Sequence, residues 1–337
     1  MPSFSCVVEN SIPADLRLDR YIAEYLKLLS RSQIKARKLT ALLDGRPVKI
    51  SRALRGGERL ELAWAEAKSP FLIPQNLPLD VIYEDTRVIV VNKAQGMVVH
   101  PGAGNPRGTL ANALLYRRLA KDGGLLLNEL SFNNNSSGTV LMPAGLSLNE
   151  LSFNTNTAGA ALRPGIVHRL DKDTSGVIIA AWDDRALAFL ADQFRTRKVR
   201  KSYAAIVQGC PKDKLGRVDK RIARSRKDRK TFTVSDNEGR ASLTYFKVIR
   251  LYGNYSLLLL RPKTGRTHQI RVHLKYLGHP ILGDSIYGRA DPRFPSASLM
   301  LHAKSLSLVL PGGENPQMFR TRLPDRFGEV MRVLEEV

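Results

Sequence analysis

The sequence GIVHRLDKDTSGVIIAA, residues 165–181, places a dense polar cluster directly before an apolar run. The run predicts a buried strand over 176–182. A carboxylate beside such a strand has to be paired with a cation, so Asp171, flanked by Arg169 and Lys172, is a candidate for catalysis. By residue types alone, a turn in which Asp171 or Asp173 caps backbone amides explains the same cluster equally well.

A second polar cluster lies at residues 261–274, RPKTGRTHQIRVHL. Gly265 indicates a turn, and Ile270, Leu274 and Leu277 recur at helical spacing after it. Arg266 therefore stands at the end of an element, where a positioned cation is most useful. The alternative is a basic helix that only braces the backbone, and this alternative predicts surface exposure.

Metal and serine chemistry find little support in these clusters. His268 and His273 are five residues apart and do not share a helical face, and neither an HExxH motif nor a CxxC pair occurs. No serine sits in a GxSxG turn, and no glycine-rich nucleotide motif stands between a strand and a helix. We therefore expect no metal and no cofactor.

The remaining pattern predicts an α+β fold with a mixed, largely antiparallel sheet. Short strands at 81–83, 88–91, 202–208 and 243–260 are interleaved with few helices, whereas a parallel sheet would need a helix after nearly every strand. Helices are predicted at 109–120 and 185–194. Residues 123–162 contain no Lys or Arg and repeat LNELSFN after 21 residues, which indicates a mobile surface insertion rather than a lid.

The charge of the chain points to an acidic partner. Its 337 residues carry a net charge of +22, which is concentrated in two regions. Residues 195–230 hold 15 Lys/Arg against three Asp, and residues 16–62 hold 12 against five acids. Such clusters favour a nucleic acid over a merely solvated face. With two cysteines, no long apolar run and no signal-like start, we expect a cytoplasmic, non-membrane and monomeric protein.

The first basic region has an organisation of its own. Arg17-Leu18-Asp19, Ser30-Arg31 and Gly45 before Val48 resemble the S4 RNA-binding module. The pattern predicts two helices, the second with Ile34 and Leu39 facing inward, and a turn at Asp44-Gly45 that leads into a hairpin of short strands at 48–50 and 59–62. We therefore predict an S4-like domain over 1–67, a proline-containing linker over 68–79 and a catalytic domain over 80–337. The resemblance implies RNA contacts at the basic residues Arg17, Arg20, Arg31, Lys35 and Lys38.

The two polar clusters together are similar to the motifs of the RluA/RluD family of RNA pseudouridine synthases. HRLD at 168–171 followed by TSG resembles its signature, TGRTHQIR at 264–271 its later motif, and KSYAAIVQG at 201–209 its Lys-x-Tyr element. Asn92-Lys93 resembles the opening motif, although Ala94-Gln95 stands where a proline is usual after the lysine. The resemblance covers residues 80–310 apart from the insertion.

The resemblance implies a cofactor-free isomerisation of uridine to pseudouridine. Asp171 is then the catalytic carboxylate, Arg266 its cationic partner, and Tyr203 the ring that stacks on the uracil. Arg169 is expected to contact the RNA beside the flipped base, while His168 braces the loop. Lys201 and Arg271 are expected to bind the RNA.

By analogy with RluD-type enzymes the substrate is large-subunit ribosomal RNA, free or in an assembling subunit. A transfer-RNA synthase and a non-catalytic ribosome-assembly protein are the alternatives.

Overall fold

The structure is a computed structural model that describes residues 2–13, 15–65, 72–102, 104–122, 165–226, 228 and 231–336. Contacts divide the chain into two compact units, Met1–Pro70 and Phe71–Val337. The predicted insertion at 123–162 lies outside the described residues. Within the described ranges, no helix is both long and apolar enough to cross a membrane.

The first unit is a four-stranded antiparallel sheet with two short helical segments. A core of Leu18, Ile22, Ile34 and Leu60 holds the segments on the sheet, each of these side chains being at most 2% exposed. The predicted turn at Asp44-Gly45 is confirmed, because both residues adopt positive φ. The predicted hairpin of strands 48–50 and 59–62 is wrong, because the turn joins a strand at 40–43 to one at 46–48, and 59–63 pairs with 40–43. The elements are β1 (Ser3–Val7), α1 (Leu18–Arg20) with a π-helical turn (Tyr21–Tyr25), α2 (Arg31–Ala36), β2 (Thr40–Leu43), β3 (Arg46–Val48) and β4 (Arg59–Ala63), and the strand order is β1-β4-β2-β3.

The second unit is a mixed α+β fold around one ten-stranded sheet, as the sequence predicted. Its strands are β5 (Asp80–Glu84), β6 (Val88–Lys93), β7 (Ser175–Ala181), β8 (Arg200–Gln208), β9 (Leu215–Arg224), β10 (Phe232–Ser235), β11 (Arg240–Tyr252), β12 (Tyr255–Pro262), β13 (Leu301–Val309) and β14 (Pro316–Arg320). Its helices are α3 (Leu110–Asp122), α4 (Asp184–Arg195), α5 (Gln269–Tyr276) and α6 (Asp325–Glu335). The predicted helices at 109–120 and 185–194 correspond to α3 and α4.

The strand order is β10-β9-β11-β12-β8-β13-β7-β6-β5, with β14 also paired to β13. Among the described strands only β7 and β13 run parallel; the other pairs are antiparallel. Every residue of β7 is buried, which explains its continuous apolar sequence. The polar cluster before β7 is thereby anchored at the centre of the sheet.

Gly176 allows β7 and β13 to approach each other. Its φ is +118°, and a Cβ at this position would lie 2.2 Å from the carbonyl oxygen of Ala303. Any other residue would therefore clash with the neighbouring backbone. This close contact explains why a glycine ends the TSG sequence.

Candidate active site

The loop that carries Asp171 is fixed by the end of strand β6. The Lys93 ammonium is 1% exposed and donates to the carbonyl oxygens of Ala94, Met97 and Lys172. Burial lowers the pKa of Lys93 to about 8, with the charges of nearby aspartates acting in the opposite direction. Lys93 therefore ties the Asp171 loop to the adjacent turn.

Gln95, two residues after Lys93, takes part in the same support. Its side-chain amide donates to the carbonyl oxygens of Asp173 and Leu299, and its Oε1 accepts from Ser298. The Gln95 side chain thus supplies three hydrogen bonds around this turn, and the adjacent Ala94 stands where a proline is usual after the lysine.

His168 braces the loop from its other end, as expected. Its Nε2 accepts a hydrogen bond from the backbone amide of Ile179, and its ring stacks on Phe194 with centroids 4.6 Å apart. Burial lowers the pKa of His168 to about 3, so the ring is neutral at physiological pH. A neutral ring that accepts from a strand amide has a structural role here.

Asp171 faces a cation from helix α5. Arg271 Nη1 lies 3.6 Å from Asp171 Oδ2, and His268 Nε2 lies 4.0 Å from the same oxygen. The Asp171 side chain is 18% exposed, so it can be reached from the cleft. Burial lowers the pKa of His268, with the charge of Asp171 opposing this effect.

A second carboxylate holds Arg271 in place. Arg271 Nε and Nη2 bind Asp284 Oδ2 and Oδ1 at 2.8 and 2.7 Å, and the two side chains are 5% and 0% exposed. Burial disfavours the charged guanidinium, but its hydrogen bonds with Asp284 and the charges of Asp284 and Asp171 outweigh burial and raise the pKa of Arg271. Arg271 is thus a permanent buried cation between two carboxylates.

This geometry corrects two of the predicted roles. Arg266 does not pair with Asp171 in this structure; its Nε donates to the carbonyl oxygen of Ala241 instead. Arg271, expected on RNA, is buried with its fork occupied by Asp284, so it is unavailable to phosphates. Arg266 lies in the turn before α5, whereas Arg271 lies within α5 and points into the protein.

The turn before α5 is set by two polar side chains whose role the sequence reasoning missed. Thr264 Oγ1 donates to Gln269 Oε1, which also accepts from the Arg266 amide. Gln269 Nε2 binds the Leu243 carbonyl and Thr244 Oγ1 on strand β11. Polar residues flanking a turn glycine are a recognisable signal for such a network.

Tyr203 projects from β8 into the same cleft. It packs against apolar residues on both sides, including those around Leu170. Burial, followed by the charge of Asp171, raises the pKa of Tyr203 well above its usual range. Its hydroxyl therefore stays protonated at neutral pH, which suits a stacking ring rather than a base.

The cleft around these groups has a volume of about 720 Å³. This size suits a nucleoside-sized ligand. Among the described lining residues Asp171 is the one carboxylate, and it is surrounded by cations: Arg169, Arg195, Arg197, Lys201, Lys263, Arg266 and Arg271. No three His, Cys, Asp or Glu of the described part come together as a metal site. A lone carboxylate in a basic cleft is typical of an enzyme that acts on a nucleic acid.

Comparisons with known proteins agree with this class. The family model for RNA pseudouridylate synthase matches residues 87–276. The chain is 38% identical over 318 residues to ribosomal large subunit pseudouridine synthase D of Borreliella burgdorferi, with 93% of this chain and 87% of the relative covered. It is 34% identical over 337 residues to the enzyme of the same name from Xanthomonas campestris, with coverages of 96% and 90%.

The solved structure of human RNA pseudouridylate synthase domain containing 4 shares the fold. Its TM-score is 0.55 at 24% sequence identity, covering 76% of this chain and 93% of that one. The chain belongs to the RluA/RluD-type RNA pseudouridine synthase family, which confirms the resemblance drawn from its motifs, and it is an RNA pseudouridine synthase.

Four of the predicted RNA-binding residues of the first unit have described side chains; all four lie on its surface, and three of them are in ion pairs. Arg17 and Arg31 both bind Asp19, and Arg20 binds Glu24. Lys38 is exposed, and the Lys35 side chain lies outside the described part. In the second unit, Arg169 is exposed at the cleft and Lys201 is half-buried there.

Proposed function

We propose that this chain converts uridines of large-subunit ribosomal RNA to pseudouridine, with Asp171 as the catalytic carboxylate. The observation that carries the proposal is that Asp171 is the lone carboxylate among the described residues of the cleft and is held by the buried cation Arg271. The names of the relatives support ribosomal RNA as the substrate.

The reaction breaks the bond between ribose C1′ and uracil N1 and forms a bond between C1′ and C5. C5 loses a proton and N1 gains one, so atoms and electrons balance without an oxidant, a reductant or a cofactor. Asp171 attacks the sugar or the base, or stabilises the detached species, and Arg271, 3.6 Å away, orients its carboxylate. Tyr203 stacks on the uracil, and its high pKa argues against proton transfer from C5 to this side chain.

The uridine has to leave its stack before Asp171 can reach it. Flipping costs a few kcal/mol, with the lowest cost in loops. Arg169 is exposed beside Asp171 and is suited to hold the vacated position or a flanking phosphate. Arg266 and Lys201 line the cleft and are suited to bind further phosphates, with Arg266 as a substrate cation rather than the partner of Asp171.

The first unit supplies a second RNA contact as an S4-like domain over 1–67, joined by a linker at 68–79 to the catalytic domain at 80–337. Arg17, Arg20, Arg31, Lys35 and Lys38 form its RNA-binding residues. Its basic composition and its helix, helix, hairpin order support this assignment. The proposal includes a cytoplasmic monomer that acts on free RNA or an assembling subunit.

The test is to incubate the protein with unmodified large-subunit ribosomal RNA, isolated subunits and transfer RNA, and to map pseudouridine by carbodiimide-dependent primer-extension stops. We expect new stops in the large-subunit RNA or subunit samples. Stops confined to transfer RNA would overturn the substrate assignment. Binding without stops in any sample would favour an assembly protein.

Lys201 gives the RNA affinity a pH dependence. Burial lowers the pKa of Lys201 to about 8, so its ammonium loses its charge as the pH rises through 8. We expect the Kd for RNA to increase about fivefold more between pH 7 and 9 than in a Lys201→Arg variant, since one partly solvated ion pair contributes roughly 1 kcal/mol. Filter binding at constant ionic strength measures this difference, and parallel pH profiles for both proteins would contradict the prediction.

A further inference from the structure

A second cavity of about 420 Å³ shares no lining residue with the cleft of Asp171. The two cavities are lined by neighbouring residues at two places in the chain. Thr174 lines the cleft and Ser175 the second cavity, and likewise Leu301 lines the cleft and His302 the second cavity. Because successive residues of a strand point to opposite faces, the second cavity lies on the other face of the sheet. We call it the Arg326 cavity.

Arg326 brings a partly buried charge to this cavity. Its Nη2 donates to Ser175 Oγ at 2.7 Å and to the Leu301 carbonyl oxygen at 3.4 Å. Its Nε is buried and finds no acceptor among the described residues, and no described carboxylate forms an ion pair with it. Burial lowers the pKa of Arg326, which reflects the cost of desolvating its charge. A guanidinium in this position is stabilised by an anion.

The hydrogen bonds around Arg326 leave donors facing the cavity. Arginine only donates, so Ser175 Oγ accepts from Arg326 and its own hydrogen goes to His302 Nδ1, 2.9 Å away. Burial lowers the pKa of His302 to about 4, so the neutral ring carries its hydrogen on Nε2 and donates it to Thr321 Oγ1 at 2.7 Å. The Thr321 hydroxyl hydrogen is then available to an occupant.

The rest of the lining adds positive charge and one acceptor. Arg320 and Arg322 are exposed at the cavity, and Asp80 is its one carboxylate among the described lining residues. Asp80 Oδ2 accepts from Asn92 Nδ2. Asn92 Oδ1 is buried without a donor among the described residues. The cavity thus presents the cationic donors of three arginines beside one exposed carboxylate, Asp80.

We propose that the Arg326 cavity binds a phosphate group, and that the phosphodiester backbone of the RNA substrate supplies it. Arginine donors match phosphate oxygens in planar, bidentate geometry. The exposed Arg320 and Arg322 extend the cationic lining to the protein surface, where a polymer backbone can lie across it, which favours RNA over free phosphate as the source. The RNA source rests on the proposed function; the phosphate site itself does not.

The consequence is that a long RNA passes around the end of the sheet and contacts both faces. A short stem-loop that fills only the cleft does not reach Arg326. The site therefore contributes to the affinity for large structured RNA and leaves the chemical step unchanged.

The experiment compares Arg326→Gln with Arg332→Gln, which removes an exposed charge from the same helix α6 without lining the cavity. Arg322→Gln is a second cavity variant whose exposed side chain makes no described contact that folding needs. Equilibrium dialysis with inorganic [³²P]phosphate and filter binding with a long large-subunit transcript and a short stem-loop are the measurements.

We use Arg332→Gln as the reference. Relative to it, we expect the Kd for phosphate to be at least about tenfold higher in Arg326→Gln and about threefold higher in Arg322→Gln. The Kd of the long transcript should rise about fivefold in Arg326→Gln, with the Kd of the stem-loop and kcat unchanged. A change in phosphate binding alone would support the site and assign it to free phosphate. A change with the long transcript alone would assign it to RNA.

Identical behaviour of Arg326→Gln and Arg332→Gln in both assays would overturn the proposal. The outcome is separate from that of the proposed function, because phosphate binding is measured without RNA and without turnover. A protein that makes no pseudouridine but loses a phosphate site in Arg326→Gln would retain the site and lose the assigned activity.

Discussion

An Asp171→Asn variant is expected to bind RNA as tightly as the parent protein and to form no detectable pseudouridine. Asparagine keeps the shape of the side chain but removes the charge that Arg271 faces at 3.6 Å. Loss of a nucleophile lowers kcat by about 10⁴-fold or more. RNA affinity is preserved because the lost charge is negative in a cleft that attracts phosphates. Single-turnover tritium release from [5-³H]uridine RNA measures the rate.

The matched control is Asp173→Asn, which makes the same chemical change two residues later in the same loop. The Asp173 carbonyl accepts from Gln95, and this backbone bond survives the substitution. We expect its kcat to stay within about tenfold of the parent value, as for a group outside the reacting centre. Equal loss in both variants would mean that loop structure, rather than the Asp171 carboxylate, determines the rate.

An Arg271→Leu variant is expected to lose about 3–5 kcal/mol of the free energy of unfolding of the second unit. The substitution leaves the Asp284 carboxylate, which is 0% exposed, buried without its cation. Activity falls as well, because Asp171 loses its facing charge. Denaturant unfolding in a Trp64→Phe background reports on this unit, since Trp182 is then the remaining tryptophan.

Two further variants separate stability from catalysis. Arg266→Leu should change the free energy of unfolding by less than about 1 kcal/mol, because Arg266 holds no described carboxylate, and should instead weaken RNA binding. Arg271→Leu combined with Asp284→Leu removes both buried charges and should recover most of the stability without recovering activity. A double variant with restored activity would show that Asp171 needs no cation from α5.

The sequence allowed much of the site to be predicted because local signals and long-range contacts agreed there. Asp171 as a candidate and the strand after the TSG sequence could be predicted because charged residues stand directly against a buried run. Tyr203 was expected only from the family resemblance, and it lines the same cleft. The sequence predicts Arg266 as the partner of Asp171 and Arg271 as an RNA contact, whereas in the structure Arg271 faces Asp171. A turn glycine makes Arg266 conspicuous, whereas the inward direction of Arg271 depends on Asp284, 13 residues later.

Other errors arose where tertiary contacts override local preference. Asp15 adopts φ +62°, so the first helix begins only after Arg17, and it is followed by a π-helical turn. Strands β9 and β13 and helix α6 were not predicted. In β9, cations occupy much of the exposed face and mask the alternation, so its role in the sheet follows only from its pairing with β11.

The parallel pairing of β7 with β13 has a consequence for synthesis of the protein on the ribosome. Ser175 and Gly176 of β7 are paired with His302 and Ala303 of β13, more than 120 residues downstream. Lys93 and His168 can hold the loop that carries Asp171 earlier, but its contact with β13 forms only after this late strand has emerged. A nascent or prematurely terminated chain carries its basic surfaces before it has a working cleft, so incomplete products should bind RNA without altering it.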